Sequence, residues 1–492
     1  MPPAPPPRIA SRALWAWLAL ALAAYFLFFC GLTGEGLLGP DEPRYAAIGR
    51  EMARSGDWVT PRLWDQAWFE KPPLLYWMTG LGFRAGLSED LAPRLPVALL
   101  SVAFLWFYWR RLDREFGHRA AHLATAILAT SAAWVAFSHV GVTDLPMAAA
   151  FSAAMLLSLP WIRTGNRREL PAAAALLGVA VLAKGLVPLA LALPLVWMGR
   201  KQWKDLLRPA PILAFLAVAA PWYLLATLLH GGAFLGDFFG KHHFARFFTG
   251  ELQHQQPFWF YLPVLLAGLF PWTPLLAALF RKRLYDDARL RFLLLWVVFG
   301  LVFFSASTNK LPGYLLPLVP AICALIGVAL AEARAATLPL TASAALLALV
   351  PIVAGVLPEA LLRGLSRVQA PGVPWLALLP IPAIAAAVWA LERAGRRLVA
   401  VGVIAGAILG GVIYLETITF PVLDRTVSAR GLWKQIASRS GEVCVGDVNR
   451  GWRYNLDYYS GGPLPDCDEA PRPIRIRQGP GEAPRLDFTA FK

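Results

Sequence analysis

Apolar runs long enough to cross a bilayer, separated by short polar stretches, repeat along almost the whole chain. About 17 to 25 apolar residues suffice for one crossing as a helix. About thirteen stretches meet or approach that length: 13–33, 94–110, 118–137, 145–162, 171–184, 186–199, 209–229, 257–280, 290–305, 311–331, 337–357, 373–391 and 398–420. Those at 171–184 and 186–199 are short, so Lys184-Gly185 reads either as a break between two helices or as the bend of a re-entrant hairpin. The run from Ala13 to Leu32 is too long for a signal-peptide core and has no small-residue cleavage pattern after it, which predicts a retained first helix.

The polar connections orient this pattern. With the N-terminus on the inner side, the clusters Arg110-Arg111-Arg114-Arg119, Arg163-Arg167-Arg168, Arg200-Lys201-Lys204-Arg208, Arg281-Lys282-Arg283-Arg289-Arg291 and Arg393-Arg396-Arg397 all fall inside, as the positive-inside rule requires. The apolar but short segment 72–87 would invert every later loop if it crossed, so it is expected to lie in the interface. The outer face then carries the loop 34–93, a turn with Val142-Thr143-Asp144, the loop 230–256 and a tail from residue 421. The predicted fold is an α-helical polytopic membrane protein, with a membrane domain over 1–420 and a small α/β domain over 421–492. Cys444 and Cys467 lie in that tail and are able to pair if it faces an oxidising compartment.

Composition agrees. The chain of 492 residues is 57% hydrophobic and 16% charged, with mean hydropathy +0.52, whereas soluble domains carry about a quarter charged residues. The formal charge of +15 is spread over short inter-span clusters with no basic arm interleaved with aromatics, which argues against a nucleic-acid partner.

Candidate chemistry concentrates in the first outer loop, where DEPRYAAIGREMARSGDWVTPRLWDQAWFEKPP runs from Asp41 to Pro73. Asp41 and Glu42 are followed by Arg44 and Tyr45, then by Glu70 and Lys71. A carboxylate beside cations can stay ionised and act as a base; the competing reading is a helix N-cap. Asp144 is a carboxylate at membrane depth, costly unless functional, although it too suits a helix start. Lys71 precedes two prolines that fix the backbone, Lys184 interrupts an apolar stretch, Arg246 offers a planar fork suited to phosphate, and Tyr314 is expected near the same surface. Together these cations fit a lipid-linked phosphate. His242, His243 and His254 crowd the loop 230–256, where Glu70 would complete a metal site, but the spacing matches no standard zinc signature.

The first-loop run, with RLPVALLS, VTDLPM, LAKGLVPLALALP, HHFARFFTGELQHQQPFWFYLPVLLAGLFPW and STNKLPGYLLPLVP, resembles the aminoarabinose transferases that modify lipid A and, more distantly, the protein O-mannosyltransferases. Both are polytopic glycosyltransferases of the GT-C class that take sugar from a polyprenyl phosphate. The resemblance covers about residues 13–330. It implies a bacterial inner-membrane enzyme with a periplasmic active site, periplasmic juxtamembrane helices and transfer with inversion to lipid A. Hexose, mannose or uronic acid transfer to protein or another lipid is the alternative, and a lipid-linked sugar flippase the non-enzymatic rival. It also implies that Asp41 is the essential carboxylate and Asp144 a second acid. Arg44, Tyr45, Lys71, Lys184, Arg246 and Tyr314 would meet the donor phosphate, with Glu42 and Glu70 in support. Glu70 and His243 match positions that bind a divalent ion in relatives.

Overall fold

The computed structural model describes residues 8–238, 256–364, 367–368, 372 and 374–488. Among them, seven helices are long and apolar enough to cross a membrane, or ten if each of three bent pairs is one span. Three shorter apolar helices, Leu14–Phe28, Leu170–Lys184 and Val187–Met198, occupy further stretches whose hydropathy predicts crossings. Gly185, with φ of 74°, ends the Leu170–Lys184 helix and leaves Lys184 as its last residue.

Three of the predicted spans are not straight, and the cause is local. Helices His118–Ala129 and Ala132–Ser138 meet at 59°, and Phe258–Gly268 meets Thr273–Phe280 at 108°. In the first pair the Thr130 and Ser131 hydroxyls donate back to the carbonyls of Ala126 and Leu128, a competition that bends helices. In the second, Pro271 cannot donate to the ladder. The two breaks then satisfy each other: the Ala132 amide donates to the Phe270 carbonyl at 3.0 Å, and Trp272 Nε1 donates to Thr130 Oγ1 at 3.0 Å. Freed backbone groups at membrane depth need such partners. Hydropathy alone reads through both breaks, because neither Ser-Thr nor a single proline lowers the average enough to split a run. The third pair, Thr337–Leu346 and Leu349–Arg363, bends by 41°.

Between the first apolar helix and Leu91–Phe116 lie Asp41–Ser55 and Leu74–Arg84, which pack together. Gly49 and Gly80 make this approach possible, since a Cβ on Gly49 would come within 2.6 Å of the Thr79 side chain. Asp41–Ser55 has both acids in its first turn and ends at Gly56, whose φ of 73° lets its amide reach the Met52 carbonyl. The segment 72–87 is therefore an eleven-residue helix too short to cross.

The tail forms a three-stranded sheet of Val443–Val445, Ile474–Arg477 and Arg485–Phe488, the first pair parallel and the second antiparallel, covered by the helix Arg450–Tyr459. Cys444 and Cys467 are disulfide-bonded. The tail is stitched to the first loop. Arg430 pairs with Asp90 at 2.6 Å, the Tyr459 hydroxyl donates to Asp90 at 2.7 Å, and Arg50 Nη2 donates to the Tyr458 carbonyl at 2.9 Å.

Candidate active site

The first turn of the Asp41–Ser55 helix divides two adjacent acids between opposite environments. Successive helical positions point about 100° apart, so Glu42 turns inward and Asp41 outward. Glu42 is fully buried and holds Arg94 in a two-pronged pair, Nε to Oε1 at 2.7 Å and Nη2 to Oε2 at 2.9 Å. Its remaining lone pairs accept from the amides of Leu38 and Gly141 at 2.9 and 2.8 Å. Arg94 gives its other donors to the carbonyls of Leu32, Glu35 and Gly36. A guanidinium has five donors and a carboxylate about four acceptor positions, so this clamp is saturated. Nearby Glu35 is less well served: burial pushes its carboxyl up to about 7, despite Arg94 at 3.6 Å.

Asp41 is instead 43% exposed and begins a chain of alternating charges. Arg44 Nη2 lies 2.5 Å from Asp41 Oδ1 and 3.1 Å from Glu70 Oε2, and Lys71 Nζ lies 3.5 Å from Glu70 Oε1. The helix cap is Pro40, without a side-chain capping bond, so Asp41 is not spent as an N-cap. Burial alone would lower the Arg44 guanidinium; the carboxylates of Glu70 and Asp41 outweigh it and hold the group above its ordinary value. Tyr45 and Tyr76 stand behind this chain with ring centroids 5.8 Å apart, and burial pushes both hydroxyls well up, so both are neutral phenols. Tyr45 is thus a wall of the Arg44 pocket rather than an exposed ligand.

A second centre forms where Asp144 starts its helix and Lys184 ends another. Their side chains meet at 2.6 Å, and Lys184 Nζ lies 4.8 Å from the Tyr314 ring centroid. Thr143 caps the Asp144 helix without a side-chain bond, so Asp144 also is not a cap. Gly313 is required here: a Cβ would fall 2.3 Å from Asp144 Oδ1. Phe69, next to Glu70, and Leu182, two residues before Lys184, pack in one apolar cluster with Trp222 and Phe234.

The structure therefore joins Asp41, Arg44, Glu70 and Lys71, and separately Asp144, Lys184 and Tyr314. Arg246 and His243 lie outside the described residues. Among the described residues no group of three or more His, Cys, Asp and Glu side chains is arranged to hold a metal ion. The two oxygens that Glu70 would offer an ion each face a cation, which does not fit a metal ligand. Arg94 and Tyr76 escape sequence reasoning, as do Trp68 and Tyr454, whose rings lie 5.6 and 5.4 Å from Arg44 Cζ. Of these only Arg94 carries a signal, as a charge at the head of an apolar span.

Comparison with known proteins fits this architecture. Residues 70–225 match the family described as dolichyl-phosphate-mannose-protein mannosyltransferase. An undecaprenyl phosphate-alpha-4-amino-4-deoxy-L-arabinose arabinosyl transferase of Pseudomonas aeruginosa is 34% identical over 340 residues, 65% of this chain and 60% of its own. The matched region thus spans about three fifths of that relative's length. The crystal structure of ArnT from Cupriavidus metallidurans bound to undecaprenyl phosphate superposes with a TM-score of 0.76 at 27% identity, covering 94% of this chain and 92% of the other. An archaeal oligosaccharyltransferase from Archaeoglobus fulgidus shares the fold at a TM-score of 0.51 and 12% identity. The fold is that of the GT-C membrane proteins. Within it, the chain is similar to the aminoarabinose transferases and, over residues 70–225, to the protein mannosyltransferases, and it is a multi-pass membrane protein.

Proposed function

We propose that this protein is a bacterial inner-membrane glycosyltransferase that moves a sugar, aminoarabinose in the first instance, from undecaprenyl phosphate to lipid A at the periplasmic face. The observation that carries the reading is the charge chain Asp41–Arg44–Glu70–Lys71. Its cations are mostly buried while its terminal carboxylate reaches the surface where the first helix ends. Such an arrangement grips an anion with fixed donors and leaves a base open to a second substrate. The relatives' substrates and the undecaprenyl phosphate held by a protein of the same fold support the choice of donor. The thirteen apolar stretches are taken as crossings, with residues 1–420 as the catalytic domain and 421–492 as a periplasmic one; the Cys444–Cys467 bond suits that oxidising compartment.

In this reading Arg44, Lys71, Lys184 and Arg246 neutralise the donor phosphate, and Tyr45 and Tyr314 shape their surroundings. An acceptor oxygen attacks the anomeric carbon, the bond from that carbon to the phosphate oxygen breaks with inversion, and undecaprenyl phosphate leaves with the electron pair. If the acceptor is a hydroxyl, its proton passes to Asp41; if it is a lipid A phosphate, the nucleophile is already ionised and Asp41 orients it. Asp144 pairs with Lys184 at 2.6 Å and so restrains it. Glu42 stays with the scaffold.

The test is the full chain reconstituted in lipid with labelled undecaprenyl-phosphate aminoarabinose and lipid A. Labelled lipid A is the expected product. Translocation of the labelled lipid without transfer would replace the reading with a flippase, and transfer only from a polyprenyl-phosphate hexose to protein would move both substrates.

A further inference from the structure

The Arg44 guanidinium is buried and its Nε finds no hydrogen-bond acceptor among the described residues. Its plane is therefore set partly by aromatic faces: Tyr45 and Tyr454 with centroids 5.4 Å from Cζ, and Trp68 at 5.6 Å. Tyr45 and Trp68 belong to the first loop, but Tyr454 comes from the helix Arg450–Tyr459, some four hundred residues along the chain. The same ring carries Arg450 at 5.4 Å. Arg450 and Tyr454 are four apart and share a helix face, so the one ring contacts two guanidinium groups.

The helix that brings Tyr454 is registered on the site. Asn449 caps it by accepting from the Trp452 amide at 3.0 Å, Asn455 Nδ2 donates to the Gly39 carbonyl at 3.0 Å, and the Tyr458 hydroxyl donates to the Glu89 carbonyl at 2.8 Å. Gly39 is two residues before Asp41. Gly451 packs against Gly39 and Pro40, where an added Cβ would lie 3.6 Å from the Gly39 carbonyl carbon. The tail is thus anchored to the segment that launches Asp41.

We propose that Tyr454 is a positioning residue of the reaction site: its ring, held by the C-terminal helix, fixes the Arg44 guanidinium toward Asp41 and Glu70 and so sets its reach to the donor phosphate. This rests on the phosphate-gripping role given to Arg44 above. A cation–π contact to a desolvated guanidinium corresponds to about a ten-fold change in affinity.

Binding of undecaprenyl phosphate without a sugar and transfer kinetics are measured on the full chain in lipid, with the unfolding midpoint of each variant. Tyr454→Phe keeps the ring and should stay within about two-fold of wild type on both. Tyr454→Leu should weaken phosphate-lipid binding and raise the donor KM by about ten-fold, with kcat changed far less and the midpoint unmoved. If that variant does not fold, Tyr454→Met supplies volume without a π face. Combining the ring loss with Arg44→Lys should cost less than the sum of the two single losses. Unaltered binding in Tyr454→Leu or Tyr454→Met, or additive losses with Arg44→Lys, would overturn the assignment. A wild type that binds the phosphate lipid but transfers nothing would instead count against the proposed reaction, leaving the Tyr454 comparison readable from binding alone.

Discussion

Asp41 and Glu42 are neighbours of the same chemical type, yet one belongs to the surface and the other to the frame. Glu42 meets two guanidinium donors and two amides, and every partner lies at 2.7 to 2.9 Å. Asp41 meets one shared guanidinium at 2.5 Å and keeps 43% of its side chain exposed. A saturated carboxylate cannot accept a proton or approach a substrate without breaking several buried bonds; a half-open one can. Adjacent acids at a membrane surface therefore need not form a catalytic pair. The helix period separates them, one locking the loop to the Leu91–Phe116 helix and the other left open at the surface.

The largest effects are expected on the buried side, at Glu42 and Arg94. Removing one partner of a buried ion pair strands the other, at a cost of about 3–5 kcal/mol. Glu42→Gln and Arg94→Met are each expected to lower the unfolding midpoint sharply in detergent, and Arg94→Met to be rescued in part by Glu42→Leu. A single variant with a wild-type midpoint would show that the clamp is not structural.

Glu35 sharpens the same contrast through pH. Its carboxyl is pushed up by burial, from an ordinary 4.5 to about 7. A raised folded-state value means that its contribution is fully present below pH 4.5 and lost as pH rises through about 7. Glu35→Gln should accordingly be neutral near pH 4 and stabilise by up to about 3 kcal/mol at pH 8. A stability difference independent of pH, measured by denaturation across that range, would contradict the burial cost.

The smallest expected effect lies at the second centre. Gly313→Ala places a methyl 2.3 Å from Asp144 Oδ1 and must displace that carboxylate or its backbone. On the role proposed for Asp144 in restraining Lys184, transfer should fall about ten-fold, the scale of a small misplacement of a binding group, with the donor KM rising. Unchanged kinetics would detach the Asp144–Lys184 pair from the reaction.

Much of this site was legible in the sequence. The dense acids and bases between the first two apolar runs marked Asp41, Arg44, Glu70 and Lys71, and the structure brings these four into one chain of contacts. Asp144 and Lys184 were each conspicuous as charges at the edge of apolar runs, and they prove to be partners. What could not be read was pairing over distance. Nothing local tells that Glu42 will take Arg94, 52 residues on, or that Arg44 will stack on Tyr454 from the tail. Those contacts arise from the docking of whole helices. The bends at Thr130-Ser131 and Pro271 were hidden for a different reason, since hydropathy averages over windows longer than the breaks. Arg246 and His243 lie outside the described residues.

The central claim, that Asp41 acts on substrate while Glu42 only builds the site, is tested by comparing Asp41→Asn with Glu42→Gln in lipid. Initial transfer rates are taken per mole of folded protein, alongside unfolding midpoints. Asp41→Asn is expected to keep its midpoint within about 0.5 kcal/mol while transfer falls by about a hundred-fold or more. Glu42→Gln should yield far less folded protein, with near wild-type transfer in the fraction that remains. Near wild-type transfer by Asp41→Asn, or a stably folded but inactive Glu42→Gln, would contradict it.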